Sequence, residues 1–145
     1  MKPLSLSVIL AASALASADG PAKPAVMGSA AVAWEDIVAK PAKGLSRPVF
    51  QAPTATLDEL EVHVTTLPPG EAPHPPHKHP DEEIIIIKEG TVEAIVNGET
   101  RRLGAGSVIF QAAGQLHTIK NVGDVPAVYH VIKWNSPGML KARQG

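Results

Sequence analysis

The sequence predicts an all-β, single-domain sandwich or barrel, and three observations carry that expectation. Short apolar runs recur at close spacing from about residue 49 onward, separated by Gly, Pro, Asn and Asp turn residues. Residues 60–65, Leu-Glu-Val-His-Val-Thr, alternate apolar and polar side chains, the period of a half-buried strand. Asn97-Gly98 stands between two strand-like runs, 91–96 and 99–103, and marks a two-residue hairpin of type I′.

Taken in order, the chain opens with Lys2, an apolar run over residues 4–15 and the small-residue string Ala14-Leu15-Ala16-Ser17-Ala18. This is a signal-peptide pattern over 1–18, with cleavage after Ala18 or, as the near alternative, after Ala16. The apolar run is well short of the ~20 residues that span a bilayer, so no stable membrane anchor is expected. Residues 19–48 read as a Pro- and Ala-rich leader, in which 34–38 form a short strand or a helical turn and 41–48 a loop. The barrel is expected over 49–136 and a frayed tail over 137–145.

Within the barrel, 84–87 are four consecutive isoleucines, consistent with a central strand covered on both faces. Glu89-Gly90 turns the chain into the hairpin, and Gly104-Ala105-Gly106 turns it again into a strand over 107–111. Strands are then expected over 116–120 and 127–134, about eight in all. Gly90, Gly98, Gly106 and Gly114 are read as turn glycines.

The chain has 145 residues and no cysteine. Removing 1–18 leaves about 127 residues, enough for one domain with a real core. Of 13 Lys and Arg, only Lys2 falls in the removed segment, so 12 against 14 Asp and Glu gives a mature net charge near −2. That balance points away from nucleic acid. With no disulfide available, an exported protein must draw stability from its core, from association or from a metal.

His77-Lys78-His79-Pro80-Asp81-Glu82-Glu83 is the chemically richest stretch. Two histidines one residue apart point to one side of an extended strand, and Glu83 can return on the next strand beyond the Pro80-Asp81 turn. His, His and Glu make a partial coordination sphere for a divalent transition metal. From Gly70 the chain reads Gly-x6-His77-x-His79-x3-Glu83-x6-Gly90, and from Gly106 it reads Gly-x5-Ala112-x-Gly114-x2-His117-x3-Asn121. This resembles the two motifs of the cupin superfamily, with one extra residue between Gly70 and His77, and with Ala112 where proline is usual. Neither departure removes a ligand. The resemblance implies a jelly-roll barrel, a metal held by His77, His79, Glu83 and His117, and pairing of two chains through strand edges, with the strand around Trp34 available for it.

Three imidazoles and a carboxylate leave one or two positions for water or substrate, the mark of a reactive rather than a structural site. Such a donor set suits one Mn, Zn, Fe, Ni, Co or Cu ion; folding outside the cytoplasm places Mn and Zn slightly ahead of Fe. The other histidines are placed by alternation. His63 is expected to face outward, and His74 lies in a stiff Pro-rich loop at the rim or simply exposed. His130 faces either the cavity, as an acid or base, or the core, bonded to backbone. Gln111 and Gln115 are candidates to orient a metal-bound water, and Phe110, Ile85 and Ile87 to form cavity wall or core. No arginine falls on the expected cavity strands, with Arg47 in a loop and Arg101-Arg102 in the outer hairpin, which disfavours an anionic substrate. The functional expectation is an exported metalloenzyme, periplasmic or secreted, acting on a small polar molecule as a dioxygenase, isomerase or aminohydrolase. A non-catalytic cupin module that binds a small ligand or the metal itself is the alternative, and a homodimer is the expected assembly.

Overall fold

The computed structural model describes residues 25–136. The signal-peptide reading of 1–18, the first residues of the leader and the tail from 137 lie outside the described residues. Among the described residues a 3-10 turn, Trp34–Asp36, precedes nine strands: β1 Lys40–Ala42, β2 Gly44–Ala52, β3 Glu59–Leu67, β4 Glu82–Glu89, β5 Thr91–Val96, β6 Glu99–Gly104, β7 Val108–Gln111, β8 Thr118–Asn121 and β9 Ala127–Asn135. All pairings are antiparallel, giving a six-stranded sheet in the order β1-β2-β3-β9-β4-β7 and a three-stranded sheet in the order β6-β5-β8. The architecture is all-β, a jelly-roll sandwich.

The core lies between the sheets. Leu67, Ile85, Ile87, Ile109, Ala127, Tyr129 and Val131 enter it from the large sheet, and Val92, Ala94 and Ile119 from the small one, with Val96 and Leu103 packed against them. Strand register decides which residues share the inner face. His63 pairs Val131, which pairs Ile85; Thr65 pairs Tyr129, which pairs Ile87; Glu61 pairs Lys133, which pairs Glu83. Directly opposed residues point to the same side of a sheet, so these three rows all face the small sheet. The Asn97-Gly98 hairpin forms as expected, both residues having positive φ, 51° and 79°, which a type I′ turn requires.

Three expectations are corrected. Residues 41–48 are not loop: β1 and most of β2 lie there. Both prolines are tolerated for reasons of position, Pro41 on an edge strand and Pro48 at a register irregularity. The return from β1 to β2 is a single residue, Lys43, followed by Gly44 at φ +84°, where any Cβ would strike the Thr66 carbonyl. Arg47 therefore sits in a strand, where it donates to Thr66 Oγ1 at 3.2 Å.

The isoleucine run is covered on one face only: Ile85 and Ile87 are buried, whereas Ile86 is 36% exposed. Across β7 its neighbours Val108 and Phe110 are 64% and 51% exposed, so Phe110 is neither cavity wall nor core. The Trp34 ring lies 5.2 Å from the Arg47 guanidinium and 4.7 Å from Lys88 Nζ. Of the two forms left open for 34–38, the helical turn is the one adopted.

Candidate metal centre

His77 and His79 do not occupy a regular strand. The segment before β4 is irregular, held by one isolated bridge in which His77 N donates to the His117 carbonyl at 3.1 Å and His117 N donates back at 3.0 Å. Gly114 N donates to the His79 carbonyl at 2.8 Å, tying the second histidine to the loop that precedes β8. Backbone pairing, rather than strand alternation, therefore brings the imidazoles together. Ring centroids lie 5.3 Å apart for His77 and His79, 4.5 Å for His77 and His117, and 4.6 Å for His79 and His117.

One nitrogen from each of these three residues falls within 4.8 Å of the others, a spacing that can hold a metal ion. The tautomers fit that use. His117 Nδ1 lies 2.9 Å from the Gln115 carbonyl and His79 Nδ1 lies 3.0 Å from the Asp81 carbonyl. A carbonyl only accepts, so both Nδ1 atoms carry the proton and both Nε2 atoms present a lone pair. Among the described residues, His117 Nε2 and His77 Nδ1 are buried nitrogens with no hydrogen-bond partner. Buried polar atoms are nearly always satisfied, and a cation between converging lone pairs would satisfy them. Burial, followed by the neighbouring imidazoles of His74, His117 and His79, depresses the His77 pKa to about 4. His77 is thus unprotonated at neutral pH, the form a metal needs.

Glu83 reaches the cluster from β4. Its Oε2 lies 3.5 Å from His79 Nε2, and the residue lines the same cavity, of about 130 Å³, as His77, His79 and His117. Ile85, Ile119 and Val131 form an apolar wall of that cavity. Tyr129 is buried with its hydroxyl bonded to Thr65, and burial raises its pKa well above the ordinary phenol range, so it is a neutral donor and not a base.

Alternation misplaced His63 and did not decide His130. His130 does not line the cavity; Tyr129, Val131 and Lys133 do, because β9 turns the opposite face inward from the one its polar and apolar residues suggested. His63, expected outside, lies inside with Thr65, while the apolar residue between them, Val64, is also buried. Both faces of β3 are covered, so apolar periodicity carried no reliable direction. Gln111 is spent on the Ile95 carbonyl at 3.4 Å, and Gln115 contributes its backbone carbonyl to His117. His74 is at the rim, its ring 3.9 Å from that of His77.

Sequence reasoning missed a charged row at one side of the cavity. Lys133 Nζ lies 2.8 Å from Glu61 Oε2, and Glu61 Oε1 lies 3.0 Å from His63 Nδ1. The His63 hydrogen bond is the largest influence on Glu61; it outweighs the raising effect of burial and, with Lys133, brings the carboxyl pKa down to about 2. Burial lowers the Lys133 pKa, but its bond to Glu61, with the charges of Glu61, Asp81 and Glu83, leaves it raised. The signal was present in the sequence as polar residues at alternate positions, 61, 63 and 65, between the apolar residues 60, 62 and 64.

A family model described as a cupin domain matches residues 63–133. Among curated proteins, the chain is 38% identical over 64 residues to dimethylsulfoniopropionate lyase DddQ of Ruegeria pomeroyi, a match covering 43% of this chain and 31% of that one. The chain spans about a third of the length of the curated relatives it matches. Among solved structures, the cupin domain of Schizosaccharomyces pombe Cnp3 superposes with a TM-score of 0.67 at 17% identity, covering 79% of this chain and 80% of that chain. The polyketide cyclase RemF of Streptomyces resistomycificus superposes with a TM-score of 0.62 at 21% identity, covering 76% and 82%.

Proposed function

Because this chain belongs to the cupin superfamily, with its cupin domain over residues 63–133, we propose that it is a metal-dependent enzyme acting on a small polar molecule. The observation that carries this reading is the convergence of His77, His79 and His117 on a cavity, with two buried nitrogens left without partners. Glu83 is proposed as the fourth ligand on the strength of its 3.5 Å approach to His79 Nε2. A divalent ion held there would supply a Lewis acid for a substrate oxygen. Mn or Zn is favoured over Fe by the proposed export, for which residues 1–18 are the support.

The protein's own contribution is binding and exclusion of bulk water. The apolar wall of Ile85, Ile119 and Val131 favours a compact carbon skeleton, and the neutral Tyr129 hydroxyl, near Glu83, is a hydrogen-bond donor. Relatives whose names describe a lyase and a polyketide cyclase support chemistry at carbon over a purely structural metal.

A non-catalytic binding module is the second reading. The position of His130 outside the cavity favours it, since that removes one proton-transfer candidate. Untargeted metabolite profiling separates the two. Metal-loaded protein incubated with small-molecule extract should consume at least one compound and form another, and a His77→Ala variant should do neither. Saturable retention of a compound that emerges unchanged would establish the binding module instead.

A further inference from the structure

We propose that His63, held by Glu61, is the proton acceptor of the metal cavity. The inference rests on the metal-enzyme reading but on different residues from the ligand cluster. His63 lies on the inner face of β3 and lines the cavity together with His77, His79, Glu83 and His117. Its Nδ1 is 3.0 Å from Glu61 Oε1, while the other oxygen of that carboxylate is 2.8 Å from Lys133 Nζ. A carboxylate only accepts, so in the neutral ring the Nδ1 atom carries the proton and donates it to Glu61. Nε2 is then left with its lone pair.

This is the arrangement in which a carboxylate fixes the tautomer of a histidine and stabilises the imidazolium that forms when its far nitrogen takes a proton. Glu61 is the positioning residue. Lys133 keeps it ionised and fixes its second oxygen, and the cross-strand pairing of Glu61 with Lys133 sets both on the same row. Other titratable groups facing the cavity are committed elsewhere: His77, His79, His117 and Glu83 to the metal cluster, and Tyr129 as a neutral donor. Lys133 is charged and has no lone pair to offer. His74, at the rim, stacks edge-on against His77.

The proton balance is simple. A substrate bond to hydrogen breaks, its electron pair stays on the substrate, Nε2 of His63 gains the proton, and the resulting imidazolium returns it to product or water. No oxidant or further reactant is needed.

The test needs no substrate. Ring nitrogen shifts of His63 are followed by nuclear magnetic resonance on the zinc-loaded protein, on protein stripped of metal, and on Glu61→Gln and His63→Gln variants. The expected result is a neutral His63 ring with protonated Nδ1 and bare Nε2. Glu61→Gln should replace that single tautomer with a mixture, and His63→Gln should bind zinc with unchanged stoichiometry. A protonated Nε2 in the neutral ring overturns the proposal. Loss of zinc from His63→Gln also overturns it, by making His63 a ligand. Failure of wild type and His63→Gln alike to bind zinc would sink the metal reading, while the His63 tautomer and its response to Glu61→Gln would still decide the Glu61–His63 pairing.

Discussion

His77 and His117 hold each other through reciprocal backbone hydrogen bonds of 3.1 and 3.0 Å, an isolated bridge outside any regular strand. Two residues far apart in sequence thereby share one register, and their rings sit 4.5 Å apart before any ion is considered. The cluster is preorganised by main chain, so a side-chain substitution at either residue should remove a donor without dismantling the loop.

That separation matters for pH. His77 has a pKa near 4 in place of the ordinary 6.5, so as pH falls the unfolded chain binds a proton at this residue before the folded one does. Its contribution to stability is whole above 6.5 and disappears between 6.5 and 4. Denaturant midpoints of metal-free protein should fall across that window, and His77→Gln should flatten the fall. Identical slopes in both proteins would contradict the assignment.

Asn121 is completely buried and its side chain is fully used. Nδ2 donates to the carbonyls of Leu67 and Val125, each at 2.8 Å, and Oδ1 accepts from Gly123 N at 2.9 Å. It clamps the end of β3 and the turn after β8, the strand that follows His117. Asn121→Ala should cost roughly 3 kcal/mol, because buried backbone groups lose partners. Urea denaturation checks this, and a loss under about 0.5 kcal/mol, the scale of an ordinary surface change, would refute the clamp.

Glu61 gives a second acid-sensitive element. With its pKa near 2 against an ordinary 4.5, it stabilises the fold above 4.5 and loses that effect as pH falls toward 2. Glu61→Gln should lower stability at neutral pH by about 1–3 kcal/mol, leaving Lys133 short of its nearest partner, and should remove the dependence below 4.5. Equal stability of variant and wild type at neutral pH would show the row to be unimportant.

For the expected homodimer we propose the β7 edge as the contact surface. The strand expected around Trp34 is a 3-10 turn, whereas β7 is a sheet edge carrying exposed Val108 and Phe110 beside Ile86. Exposed apolar patches on an edge invite pairing. Analytical ultracentrifugation should find a dimer that Val108→Asp/Phe110→Asp converts to monomer; a wild-type monomer would end this expectation.

Most strands, and the spacing that brings His77, His79 and His117 together, were legible in the sequence because they depend on local signals: Asn97-Gly98 at its turn, Gly114 ahead of His117. Orientation was not. Val64 and Val128 are buried on the outer face of the large sheet while Tyr129 and Val131 are buried on the inner one. A strand apolar on both faces gives alternation no direction, so His63 lies inside where an outward position was expected, and His130 lies outside the cavity that was one of its two expected positions. Prolines 41 and 48 concealed two strands for a similar reason, since their tolerance depends on an edge and an irregularity that appear only after the sheet is assembled.

The central claim is a metal at the three-histidine cluster, and elemental analysis of protein purified from its native compartment tests it most directly. About one divalent transition metal per chain is expected in the wild type, and none in a folded His77→Ala/His117→Ala variant. Metal-free wild type that also fails to take up Zn or Mn, or equal metal in both proteins, would contradict the account.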